Sequence, residues 1–217
     1  RGLPNISFVV RGKPVYDPQK DSTSAYYDNS LGVDTHRLND ETTWEWSQNP
    51  ALIEADYIAD AKYGLGESYA SINAASLDLA QTVCDELVTL TNNTTQTKYS
   101  LDGVVDTANT RRDNIEAMLS ATNGRIVPSG GEYFISAADY VAPTVTIDES
   151  MLVGAVSTQT KNSMSNLFNA VKGVYLSSEE NYVATDYPPV ISSSYAVEDG
   201  EPLYLELGLA YTTNNVR

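Results

Sequence analysis

The stretch Trp44-Glu45-Trp46-Ser47-Gln48-Asn49-Pro50-Ala51-Leu52-Ile53-Glu54-Ala55-Asp56-Tyr57-Ile58-Ala59-Asp60-Ala61-Lys62-Tyr63-Gly64-Leu65-Gly66 carries helix signals at both ends. Asn49 is a capping residue, and Pro50 suits the first helical position, where a missing N–H costs nothing. Leu52, Ala55 and Ala59, with Ile53, Tyr57 and Ile58 alongside, recur at helical spacing until Gly64 and Gly66 stop the run. The spacing predicts a short helix fixed between an aromatic pair and a glycine turn.

Around this helix the chain divides by period. Ala74 to Leu90 repeats Leu77, Ala80, Val83, Cys84, Leu87 and Leu90 at threes and fours and predicts a second helix capped by Asn73. Thr97 to Leu101 reads as a strand. A third helix is expected from Asn109 or Thr110 to the Asn123-Gly124 stop, and Arg125–Pro128 and Glu132–Ile135 flank Ser129-Gly130-Gly131 as a hairpin. Residues 49–139 therefore predict an α+β lobe with helices covering a small sheet.

Beyond Pro143 helical periodicity fades. Thr144–Ile147, Val153–Thr158, Ala170–Leu176, Tyr195–Val197 and Leu203–Leu209 read as short strands separated by Pro, Asn, Ser and Gly. These strands predict an antiparallel, barrel-like β lobe over 140–217, joined by residues 1–48 through the strand Ile6–Val10 and its continuation to Tyr16. Within that N-terminal part, 19–43 is polar and aperiodic and is expected to be a long surface arm. The fold class expected is α+β.

Composition narrows function. With 41% hydrophobic residues in 217, the chain can bury a core, and no apolar run reaches the roughly 20 residues of a membrane-spanning helix. Twenty-nine acidic against 13 basic residues, a net charge of −16 spread along the chain, would repel phosphates and anionic headgroups. The start at Arg1-Gly2-Leu3-Pro4 reads as a piece of a longer chain. Cys84 is the single cysteine and sits on an apolar helical face, which predicts a small core residue.

No residue set announces chemistry. His36, the one histidine, lies in the polar Asp34-Thr35-His36-Arg37 loop and reads as solvated. One Cys and one His do not make the usual zinc set. Asp56 to Asp60 and Glu198-Asp199-Gly200-Glu201 only faintly resemble calcium loops, and Gly64-Leu65-Gly66 lacks the third glycine of a dinucleotide fingerprint. Catalytic residues, cofactor-binding residues, metal ligands and cofactors are all expected to be none, and the chain is expected not to be an enzyme.

Asn-Pro-Ala at 49–51, the helix carrying Asp56-Tyr57, and Tyr63-Gly64-Leu65-Gly66 resemble the central tail hub, or tip attachment, proteins of long-tailed bacteriophages, the lambda-type family. Other landmarks follow in that family's order. They are Val9-Val10-Arg11-Gly12-Lys13-Pro14-Val15-Tyr16-Asp17-Pro18, Ala80–Val88 with Cys84-Asp85-Glu86, Asp102-Gly103-Val104, and Asn166-Leu167-Phe168-Asn169-Ala170-Val171-Lys172-Gly173-Val174-Tyr175. The arm at 19–43 is longer than the family pattern.

The resemblance implies a structural role at the distal end of a virion tail, in a protein made in the bacterial cytoplasm. It implies three copies about the tail axis, tail tube proteins above and tip or receptor-binding proteins below, and DNA passing without specific binding. This chain would hold only the second of two barrel-like hub domains, and as an isolated fragment it is expected to be monomeric. Acids such as Glu54, Asp60, Glu179, Glu180 and Glu198 would be available to line the conduit. An alternative of another class is a cell-wall glycan-binding or hydrolase module, suggested by the acids and 15 tyrosines.

Overall fold

The computed structural model describes residues 8–90, 93–140, 142–154, 156–158, 163 and 166–214. The chain forms two compact units, Arg1–Ala138 and Asp139–Arg217. Both are mixed, so the α+β class is borne out. Among the described residues no strand set closes into a barrel.

The first unit is built on the expected helix. Asn49 accepts from the Ala51 N–H at 3.0 Å, and α1 runs Pro50–Ala59. It is buried nearly all round, with Leu52, Ala55 and Ile58 at 2% exposure or less, which is the habit of a central rather than a surface helix. Gly64 ends the turn because no side chain fits there: a Cβ would stand 1.7 Å from the Tyr57 carbonyl oxygen.

Helix α2 spans Ala74–Asp85, capped by Asn73, and packs Leu77, Ala80 and Cys84 onto α1. It stops short of the expected Leu90. Leu87–Thr89 instead forms β1, paired antiparallel with β2, Thr95–Thr97, and Asn93 takes a positive φ of 63° in the turn. Val88 and Thr89 are β-branched and Asn tolerates the left-handed turn, so hairpin chemistry overrides the helical period here.

Helix α3, Arg111–Leu119, is capped by Thr110. The hairpin of β3, Arg125–Ser129, and β4, Glu132–Ser136, forms as expected, with Gly130 and Gly131 at φ of 63° and 87°. The two hairpins are separate two-stranded ladders rather than the single small sheet expected. β4 contributes the fully buried Ile135 to the helical core.

The N-terminal segment corrects the expected division. Val15 is in the core with α1 and α2 and bridges Glu45, so residues 8–48 belong to the first unit and do not return to the second. The extended pairing is one bridge long, since Pro14 and Pro18 donate no backbone bonds. Ile6 and Ser7 lie outside the described residues.

The 19–43 arm is not a loose loop. Asp17, Asp28 and Asp40 each cap a 3₁₀ turn by accepting from the backbone N–H two residues on, and Asp21 and His36 are buried at 1% exposure.

The second unit is a three-stranded sheet in the order β6-β5-β7: β5 is Ala170–Ser177, β6 is Val183–Ile191, and β7 is Tyr204–Glu206. β5 pairs antiparallel with β6 and parallel with β7. The expected strand at 170–176 forms, but Thr144–Ile147 and the described residues of Val153–Thr158 are not strands; Ala155 lies outside the described residues.

Tyr195–Val197 lies inside a short helix, α4, Ser193–Asp199, closed by Gly200 at φ 85°. β6 escapes sequence reading because Pro188-Pro189 punctuates it. The ladder absorbs the prolines in a register shift opposite Val171 and Gly173.

Candidate functional site

In the first unit the arm is tied to α2 by a buried polar knot. Gln81 Nε2 donates to Asp17 Oδ1 at 2.8 Å, and the Asp17 N–H donates to His36 Nδ1 at 3.0 Å. Asn49 Nδ2 reaches the Gln81 carbonyl at 3.0 Å, so the Tyr-Asp-Pro and Asn-Pro-Ala landmarks meet on one residue of α2.

His36 is therefore not solvated. Burial pushes its pKa below the ordinary value, and because Nδ1 accepts a backbone N–H the neutral ring carries its proton on Nε2. Nε2 lies 3.7 Å from Glu45 Oε2 and has no hydrogen-bond partner among the described residues, and with its proton on Nε2 the buried ring offers no base there.

The remaining singled-out groups are also engaged in structure. Lys13 Nζ spans Asp56 and Asp60 at 2.9 and 3.0 Å, so an internal cation occupies the space between those carboxylates. Asp199 Oδ2 accepts from Asn169 Nδ2 at 2.8 Å, whose own Oδ1 accepts from the Leu203 N–H, binding α4 to the sheet. Among the described residues no three His, Cys, Asp or Glu side chains gather in a metal-holding group.

Cys84 is fully buried, and burial pushes its thiol up to about 12. Of the acids proposed for a conduit, Glu179, Glu180 and Glu198 are exposed, Asp60 is paired, and Glu54 is buried at 3% exposure. Burial alone raises the Glu54 carboxyl to about 8, and its Oε1 finds no hydrogen-bond partner among the described residues. Glu54 leaves the conduit set.

One concavity stands out in the first unit, a cleft of about 720 Å³ that sequence reading does not find. Its lining comes from three separated segments, residues 16–40, residues 69–77 and Glu132 at the start of β4, which no local motif links. Tyr16 and Tyr69 meet edge to face at 5.2 Å, with Ile72 and Leu77 beside them.

At the polar side Tyr16 donates to Asp21 Oδ2 at 2.9 Å, and Arg37 Nη1 holds Asp34 Oδ1 at 2.7 Å and Asp21 Oδ1 at 3.3 Å. Burial would raise the Asp21 carboxyl, but bonds from Thr23 and Tyr16 and the charge of Arg37 outweigh it and hold it below the ordinary value.

The second unit offers a surface instead of a cleft. Cross-strand partners Val171, Val190 and Leu205 share one face of the sheet, while Ala170, Ile191 and Tyr204 share the other. Val190 is 69% exposed, Val183 60% and Leu205 42%, and on α4 Tyr195 and Val197 stand in solvent. The central strand β5 buries Ala170, Tyr175 and Ser177, and these open apolar side chains are those of β6, β7 and α4.

No family model and no curated protein matches the chain.

Proposed function

We propose that this chain is a structural segment of the distal end of a bacteriophage tail, a hub piece that joins tail tube to tip and receptor-binding proteins around the DNA exit path. It acts as a virion component without chemistry of its own, in three copies about the axis. The observation that carries the reading is the sheet of the second unit, which leaves Val183, Val190 and Leu205 exposed on one face and Ile191 and Tyr204 exposed on the other among the described residues. Such surfaces mark sites of protein association.

Two further features support it. The landmarks that resemble the tail hub family fall in that family's order, and those at 9–18, 49–66 and 80–88 are used as internal joints: Asp17 and Asn49 on Gln81, Lys13 on α1, Gly64 beneath Tyr57. The exposed carboxylates Glu179, Glu180 and Glu198 suit a surface that DNA passes without sticking.

The direct test is composition and location in purified particles. Mass spectrometry should find the chain in tailed particles, and gold-labelled antibody should decorate the tail end distal to the capsid. Absence from the particles, or label on the capsid, would refute the proposal.

A further inference from the structure

The cleft of the first unit is large enough for a small ligand, since such sites hold roughly 300–1,000 Å³ and this one holds about 720 Å³. Its chemistry selects the ligand by sign. An anion meets Asp21, Asp40 and Glu132 in a chain of net charge −16, and is repelled. A cation meets the guanidinium of Arg37, and all three carboxylates already have partners: Asp21 has Tyr16, Thr23 and Arg37, Asp40 Oδ1 has the Thr42 N–H and hydroxyl, and Glu132 Oε2 has Asn73 Nδ2 at 2.8 Å.

A neutral polyol escapes both objections. Each hydroxyl both donates and accepts, and the lining supplies acceptors in the second carboxylate oxygens of Asp40 and Glu132 beside the amide of Asn39, while the Arg37 guanidinium is held by Asp34, Asp21 and the His36 carbonyl. Tyr26 and Tyr69 add half-buried aromatic rings to the same wall, with Tyr16 buried edge to face behind Tyr69, and Leu38 adds exposed aliphatic surface. Rings with an apolar body and a polar tip suit a sugar, which presents C–H faces and hydroxyl edges together.

We propose that this cleft is a binding site for a neutral oligosaccharide, stacked on Tyr26 and Tyr69 and hydrogen-bonded by Asn39, Asp40 and Glu132. The site would give the chain a direct contact with uncharged glycan. It stands independently of the tail-tip reading, because it uses only residues of the first unit.

The test titrates the 217-residue chain, by calorimetry and by two-dimensional NMR, with maltotriose, mannotriose and triacetylchitotriose, and with tri-lysine as a cationic control. At least one trisaccharide should bind saturably, and Tyr26→Ala and Asn39→Ala should each weaken it by about tenfold or more while leaving the circular dichroism spectrum unchanged, a tenfold loss corresponding to about 1.4 kcal/mol. Three results would overturn the proposal: no saturable binding by any of the trisaccharides at millimolar concentration, sugar binding that neither variant weakens, or tri-lysine binding more tightly than the sugars. None of them bears on whether the chain resides in a phage tail.

Discussion

Glu54 gives the first unit a stability that should fall as pH rises. Its side chain projects from α1 into the interior, 3% exposed, with Oε1 lacking a hydrogen-bond partner among the described residues. Burial of an ionised carboxylate without a partner is costly, so the folded state holds the proton and its pKa rises from 4.5 to about 8. The folded pKa exceeds the unfolded one. The stabilisation that protonation preserves is therefore complete below pH 4.5 and is lost progressively as pH climbs to 8.

The difference of 8 minus 4.5, at about 1.4 kcal/mol per unit, corresponds to a loss on the order of 5 kcal/mol across that window. Glu54→Met keeps a side chain of similar length and removes the charge. Urea unfolding followed by the fluorescence of Trp44 and Trp46, both in the first unit, should show the variant gaining on the wild type from pH 5 to 8 and holding a constant lead above. Taking the difference between the two proteins cancels the opposite drift of Asp21, Asp34 and Asp60, whose pKa values are lowered. Parallel pH profiles for the two proteins would refute the reasoning.

Three further outcomes are expected. Gly64→Ala should destabilise the first unit by about 3 kcal/mol or more because its Cβ would lie 1.7 Å from the Tyr57 carbonyl oxygen, while Gly12→Ala, with nothing within 4 Å, should be neutral in the same urea assay. Asn49→Ala removes the α1 cap and a buried bond to the Gln81 carbonyl, and should cost about 1–3 kcal/mol; a loss under about 0.5 kcal/mol would contradict the joint. Cys84, with its thiol pushed up to about 12 and no exposure, should resist a disulfide reagent at pH 8 until urea unfolds the chain, and rapid native-state labelling would show the core to be open.

Local chemistry was readable where it acts over a few residues. The Asn49-Pro50 start and the Gly64 stop of α1, the Thr110 cap of α3 and the paired glycines of the β3–β4 hairpin follow from capping and turn preferences, and the structure has each. What sequence hid depends on partners far along the chain. Asp21 and His36 look like solvated loop residues until Tyr16 and Asp17 close over them.

The same holds for the second unit. Residues 195–197 alternate weakly enough to pass for a strand, and Pro188-Pro189 masks a strand that tolerates it through a shifted ladder. The cleft was illegible because its wall is assembled from three separated segments. The N-terminal segment went to the wrong lobe because an apolar run such as Phe8–Val10 says that it can pair, not with whom.

The claim that matters most is that the second unit's sheet is an assembly surface on the tail axis. A cryo-EM reconstruction of the parent particle tests it directly. The account predicts three copies of this chain at the distal end of the tail, with Val183, Val190 and Leu205 covered by a neighbouring protein. A reconstruction that places the chain elsewhere, or that leaves this sheet bare in the assembled tail, would contradict it.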